Sequence, residues 1–289
     1  MGNVNKKPAP PPAGPVLVSG NMQMFGFPAW IVMLGVYAGL HMLSYAVVVS
    51  GAFGRDSSLS KNPHLAAHFL PQLFGFAILA YLGGGGWLHA DMPSIDPGPG
   101  AYISFGEQIA MHMLSFQLYE IAACIPAPRL RGKFNELIGH HVITLLLSYL
   151  AYKHQAYHYW APCFMGMPEI SSVPLAVMDH LKNFKPLAQR FPNLNEASQV
   201  IFSLLFLPIR GVYWPYSSVW FWKMSLATLS AGSVLPATWV IYIFCVANVL
   251  MTALQWYWSS LILKGLYAKM TGAKSPVDDE VERKQAKKI

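Results

Sequence analysis

The sequence predicts an all-α, polytopic membrane protein with about seven transmembrane helices. Three observations carry that prediction. Apolar side chains make up 54% of the 289 residues and charged ones only 11%, against roughly 25% charged in soluble domains. The apolar residues are gathered into runs near the ~20 residues that a helix needs to cross the hydrocarbon. Lysine and arginine collect in alternate loops, the asymmetry that orients membrane helices.

The chain reads as three parts: a proline-rich solvated arm over residues 1–22, a transmembrane domain over 23–270 and a charged tail over 271–289. The arm has no apolar stretch directly behind Lys6 and Lys7, so it is not expected to be a signal peptide. Seven spans follow: Phe25 to Val49, Leu65 to Leu88, Tyr102 to Ile125, Phe134 to Tyr152, Tyr157 to Met178, Ser198 to Tyr213 and Leu235 to Leu266. The sixth is short, and Ser217 to Ser233, with Lys223 among its tryptophans, reads as an interfacial helix. Breakers separate the spans: Asp96-Pro-Gly-Pro-Gly100, Pro126-Ala-Pro128 and Phe191-Pro-Asn193.

Seven spans place the loops after spans 1, 3 and 5 on the side of the C-terminal tail. Fifteen of the 20 Lys and Arg residues fall on that side, from Arg55 to Lys288. That side is therefore expected to be cytosolic or its equivalent, with the N-terminus opposite. The net charge of +7 sits at loop ends and in the tail, which fits topology and excludes a nucleic-acid face. Cys124, Cys163 and Cys245 match neither a disulfide framework nor a zinc spacing and read as apolar packing residues.

Ionisable groups inside a bilayer are costly, so each is a candidate for function. Span 3 carries Glu107, His112 and Glu120; span 4 carries Glu136, His140 and His141; span 5 carries Glu169; span 6 carries Arg210. Span 7 carries Asn248, Thr252 and Gln255 on one face. Adjacent helical residues diverge by about 100°, so of His140 and His141 one is expected to face the interior and the other a neighbouring helix. An interior histidine can act as a general base near neutral pH; the alternative is hydrogen bonding between helices. Glu169 and Arg210 are expected to pair, since an isolated buried charge is strongly destabilising. Two H-x-x-x-H patterns, His64 to His68 and His154 to His158, suggest metal boxes. His64, His68 and His140 lie near the cytosolic starts of their spans, whereas His154 and His158 lie about 21–27 Å from His140 along span 4 at 1.5 Å per residue, so no shared metal site is expected.

The stretch from Arg131 through Glu136, His140-His141, Thr144, Leu145 to Leu147, Ser148 and Tyr149 resembles the TLC-domain family, which groups ceramide synthases, translocon-associated TRAM proteins and several lipid-related membrane proteins. Phe206-Leu-Pro-Ile-Arg210 is similar to its F-x-x-x-R element, and Asn248 to Lys264 to its last helix. The resemblance implies six helices in a barrel around a cavity, with one further helix outside. It also implies a cavity site: His140 or His141 as base, Glu136 or Glu120 orienting it, and Glu169, Arg210, Thr144, Asn248 and Gln255 shaping the space for a lipid or acyl chain. One departure matters. Where ceramide synthases carry H-D-x-x-D, this chain has Pro168, Glu169 and Ser172. Glu169-Ile-Ser-Ser172 instead resembles the E-L-S-T element of the non-ceramide-synthase branch. The expected function is therefore binding of lipid or acyl chains and an influence on membrane lipid composition, with membrane lipids as partners. An acyltransferase using acyl-CoA and a non-catalytic subunit of a larger membrane complex stand as alternatives. The resemblance points to the endoplasmic reticulum; an organellar inner membrane is the other option.

Overall fold

The computed structural model describes residues 23–89, 97–131, 136–232 and 236–272. The proline-rich arm over 1–22 and the tail beyond Gly272 lie outside them, as does Lys133 of the basic loop.

In hydrocarbon every backbone N–H and C=O must be satisfied within its own segment, which leaves helices as the spanning form for such a chain. The helices are α1 (Ala29–Val49), α2 (Pro63–Ala67), α3 (Phe69–His89), α4 (Ser104–Ala123), α5 (Glu136–His154), α6 (Glu169–Asn183), α7 (Lys185–Arg190), α8 (Pro192–Phe206), α9 (Trp214–Ser230) and α10 (Thr238–Thr271). A two-residue hairpin, Gln23–Met24 against Phe27–Pro28, precedes α1, so the first helix begins four residues later than its hydropathy suggests. Among the described residues, four helical runs are long and apolar enough to cross a membrane by length and composition: Ala29–Val49, Pro63–Gly86, Pro192–Ser230 and Thr238–Thr271. The chain is an all-α, polytopic membrane protein. Helices α4, α5 and α6 carry most of the ionisable residues, and the burial of those residues explains how such helices are held at depth.

Neighbouring helices close a ring. Helix α3 packs on α4, α4 on α5, α5 on α10, α10 on α9, α8 on α6, and α6 back on α3. Helix α1 lies outside, against α4 and α3. Six walls therefore enclose an interior, with the α8–α9 run as one wall.

That run differs from the expected short span and interfacial helix. Pro192–Ser230 is one helical run of 39 residues. Its middle, Leu207–Tyr213, winds as a π-helix. Pro208 has no N–H to give to the residue one turn back, and a widened turn accommodates the missing bond. Hydropathy alone reads that interruption, and the polar Ser217 and Ser218 after it, as an end. A second π turn, Pro162–Gly166, leads into α6. Here Gly166 meets Gly83 of α3 backbone to backbone; a Cβ on Gly83 would stand 2.4 Å from the Gly166 backbone. Helix α10 runs 34 residues and stops at Gly272, whose φ of 67° is the left-handed conformation that terminates helices.

Candidate functional site

The ring interior has two layers. The deeper one is apolar and aromatic. Tyr157 stacks on Phe244 at 4.4 Å between centroids and Phe164 meets Trp214 edge-on at 4.8 Å. Phe221 lies against Tyr157, Trp160 and Phe164. Such pairs contribute about 0.5–1.5 kcal/mol each beyond their buried area. They leave a cavity of about 50 Å³, room for a few waters and too small for a whole acyl chain. Thr144, Asn248 and Met251 line it on the side towards the other layer. The barrel is thus largely filled by its own side chains.

The turn feeding this layer is strained. Gln155 and Tyr157 hold φ of 51° and 59°, a conformation that costs non-glycine residues about 1–3 kcal/mol. Tyr157 is fixed there from three sides: its N–H donates to Pro99 O at 2.7 Å, its hydroxyl bonds Ser225 at 2.9 Å, and its ring stacks on Phe244.

The second layer, one turn from Thr144 along α5, is polar. Arg210 reaches inward from the π turn and is held by α6. Its Nε donates to Ser171 Oγ at 3.1 Å and its Nη2 to Ser172 Oγ at 2.7 Å; both nitrogens also donate to Pro168 O. Glu169 Oε1 lies 3.6 Å from Nη2. The expected Glu169–Arg210 pair is present, and the Glu169-Ile-Ser-Ser172 element supplies its other partners. Nε and Nη2 of this guanidinium are thus engaged by the protein.

The paired histidines diverge as their spacing requires. His141 turns to α4, where its Nδ1 donates to Gln117 Oε1 at 2.6 Å and its Nε2 lies 3.8 Å from Glu120 Oε2. Only Nδ1 is hydrogen-bonded, and Glu120, rather than Glu136 in the first turn of α5, is the carboxylate that stands near Nε2. His140 turns instead to α10, edge-on to Trp258 at 5.6 Å, within electrostatic reach of Arg210. Its Nδ1 is buried with no hydrogen-bond partner among the described residues. The same holds for both amide atoms of Gln255 and for Ser259 Oγ. Of the α10 stripe, Asn248 accepts from Trp222 Nε1 at 3.1 Å and donates to Ser218, and Thr252 accepts from Trp214 at 3.0 Å. Those two residues join α10 to α9; Gln255 is left over. Thr144 turns its hydroxyl back to His140 O at 2.9 Å.

Several polar residues of the interior escape a reading by span. His41 of α1, His64 and His68, and Tyr119 of α4 gather beside Glu120. The H-x-x-x-H pair thus serves other contacts: His64 hydrogen-bonds His41, His68 hydrogen-bonds Tyr119 through Nδ1, and its Nε2 stands 3.3 Å from the Glu120 carboxylate as an ion-pair contact. Among the described residues no group of three or more His, Cys, Asp or Glu is arranged to hold a metal. His154 is exposed, whereas His158 is fully buried with Nε2 on Ala151 O at 3.0 Å. It is buried because the turn after α5 folds under Gly106, where a Cβ would meet His158 O at 2.3 Å. The three cysteines are free and buried.

The model of the TLC-domain family matches residues 87–264, more than half of the chain. No curated protein matches it.

Proposed function

The chain belongs to the TLC-domain family, and from that premise we propose that it binds a lipid or acyl chain inside its helix ring and so influences membrane lipid composition. One observation carries the reading. His140 Nδ1, the Gln255 amide and Ser259 Oγ are buried polar groups with no partner among the described residues, and they border a layer whose only cavity-lining groups are apolar or aromatic apart from Thr144 and Asn248. Buried polar atoms are normally satisfied, and each one left over costs about 1–3 kcal/mol. An amphiphile with its head among those atoms and its chain in the aromatic layer satisfies both. The cavity of about 50 Å³ then represents the closed form, and binding requires Phe164 and Phe221 to change rotamer.

The test is to purify the protein in detergent and count co-purifying lipid per chain by mass spectrometry. Wild type is expected to retain about one lipid of a defined class, and Met251→Trp, which fills the cavity, to retain none while melting normally. Equal retention by both proteins contradicts the proposal. A second reading, a structural subunit of a larger membrane complex, draws support from the aromatic filling; it predicts no retained lipid and a stable assembly in mild detergent. The proposed location is the endoplasmic reticulum or an organellar inner membrane, with the Lys/Arg-rich side facing the cytosol or matrix.

A further inference from the structure

Six side chains outside the proposed lipid site form one connected line. His64, part-exposed at the start of α2, stacks on Tyr45 and places Nδ1 3.2 Å from His41 Nε2. His41 Nδ1 lies 2.9 Å from the Tyr119 hydroxyl, and the same hydroxyl lies 3.0 Å from His68 Nδ1. His68 Nε2 lies 3.3 Å from Glu120 Oε2, and that oxygen is 3.8 Å from His141 Nε2. From His41 to Glu120 every member is buried.

Two features set this apart from polar contacts that merely join helices. One choice of tautomers orients the line: His64 Nδ1–H donates to His41 Nε2, His41 Nδ1–H to Tyr119 and Tyr119 O–H to His68 Nδ1, which leaves His68 Nε2–H beside Glu120 Oε2 as an ion-pair contact at 3.3 Å without hydrogen-bond geometry. The second feature is the far end. Gln117 Oε1 accepts from His141 Nδ1, and Gln117 Nε2 is itself turned to Met113 Sδ at 3.1 Å. A neutral His141 therefore presents a bare Nε2 lone pair to a carboxylate oxygen. Two acceptors face each other in a dry interior, and they attract only when a proton sits between them. Glu120 Oε1, moreover, has no partner among the described residues.

We propose that Glu120 and His141 form a buried proton-binding site, loaded from the surface at His64 through His41, Tyr119 and His68. A proton from solvent binds His64 Nε2, and His64 passes its Nδ1 proton to His41 Nε2. His41 gives its Nδ1 proton to the Tyr119 oxygen as Tyr119 gives its own to His68 Nδ1. His68 then releases its Nε2 proton to Glu120 Oε2. Each relay member ends with as many protons as it began, the histidines in their other tautomer, and one proton has moved from solvent to the Glu120–His141 pair. Chains of intramembrane carboxylates and histidines are a recurring form of proton relay. Other titratable groups face the line from neighbouring helices. Tyr37 of α1 stacks on Tyr119. Asp179 and His180 of α6 stand within electrostatic reach of His68, and Glu169, with its Arg210, within reach of Glu120. The line does not depend on what the ring binds.

The experiment uses the full chain in lipid nanodiscs. The bound proton is expected as a carboxylic-acid C=O band lost in Glu120→Gln, or as a doubly protonated His141 in nitrogen-15 spectra. Absence of both signs anywhere between about pH 5 and pH 8 overturns the proposal. The path is read by following the same signal after a light-triggered pH drop. Tyr119→Phe, which keeps the ring packing and removes the hydroxyl, is expected to slow loading on the order of tenfold or more, the effect of about 1.4 kcal/mol in the barrier. His41→Gln serves the same purpose should Tyr119→Phe fail to fold, and His154→Gln, exposed at the far end of α5, is expected to leave the rate unchanged. Loading at the wild-type rate in the relay variants refutes the path. Lipid retention is expected to be unaffected in Tyr119→Phe, His41→Gln and His154→Gln, so this result and the lipid test fail separately.

Discussion

Replacing Arg210 with methionine is the sharpest test of how the ring is held together. The side chain is 7% exposed and joins the π turn of the α8–α9 wall to the start of α6. The substitution removes donors from Ser171 Oγ, Ser172 Oγ and Pro168 O and leaves the Glu169 carboxylate buried without its counter-charge. Breaking a buried pair by removing one partner costs about 3–5 kcal/mol. At about 2–4 °C per kcal/mol for a chain of this size, Arg210→Met is expected to lower Tm by about 6–20 °C. The structure makes a second, opposite demand. With the charge on both sides removed, most of the penalty disappears, because a buried pair replaced by apolar groups is often neutral. Arg210→Met with Glu169→Leu is therefore expected to recover all but about 1 kcal/mol. Arg210→Lys keeps the charge but loses the planar fork that reaches two serines and a carbonyl at once, and falls between. The assay is thermal unfolding in one detergent, followed by the intrinsic fluorescence of the nine tryptophans. A single mutant that melts with wild type, or a double mutant no better than the single, refutes the reasoning.

Two further outcomes follow from close contacts. Gly83→Val puts methyls against the Gly166 backbone, forcing α3 away from the π turn at a cost of about 1–3 kcal/mol; Gly85→Ala, where a Cβ meets nothing, is the matched control, and both are read by Tm. Asn248→Leu strands the Trp222 N–H and takes a donor from Ser218 Oγ, which keeps its bond to Trp214 O, a loss of about 1–3 kcal/mol visible as earlier unfolding in the same assay.

Much of this architecture is legible in the chain because bilayer physics is simple. Runs of apolar residues mark the helices. The sequence spacing of His140 and His141 alone separates their directions. Glu169 and Arg210 pair because neither can be left alone at depth. What escapes the sequence is set by tertiary contact. The sixth span reads as ending at Tyr213, yet the π turn over Leu207–Tyr213 carries the helix on to Ser230. His41, on an otherwise apolar α1, shows no periodic signal; its role comes from α4 and α2 packing beside it. His64 and His68 have the spacing of a metal box, and only their orientation shows that they answer Tyr119 and Glu120. The filling of the ring by Tyr157, Trp160 and Phe221 is equally hidden, since belt aromatics at span ends have the same composition as aromatics that fold inward.

The central claim is that the ring interior receives one amphiphile. The most direct measurement is an electron-microscopy map of the protein in native-membrane nanodiscs at a resolution that shows side chains. Continuous density is expected from a polar head beside His140, Gln255 and Ser259 to a chain between Thr144 and Phe244, with Phe164 and Phe221 turned aside. A ring filled only by its own aromatic side chains, with water alone at His140 and Gln255, contradicts it.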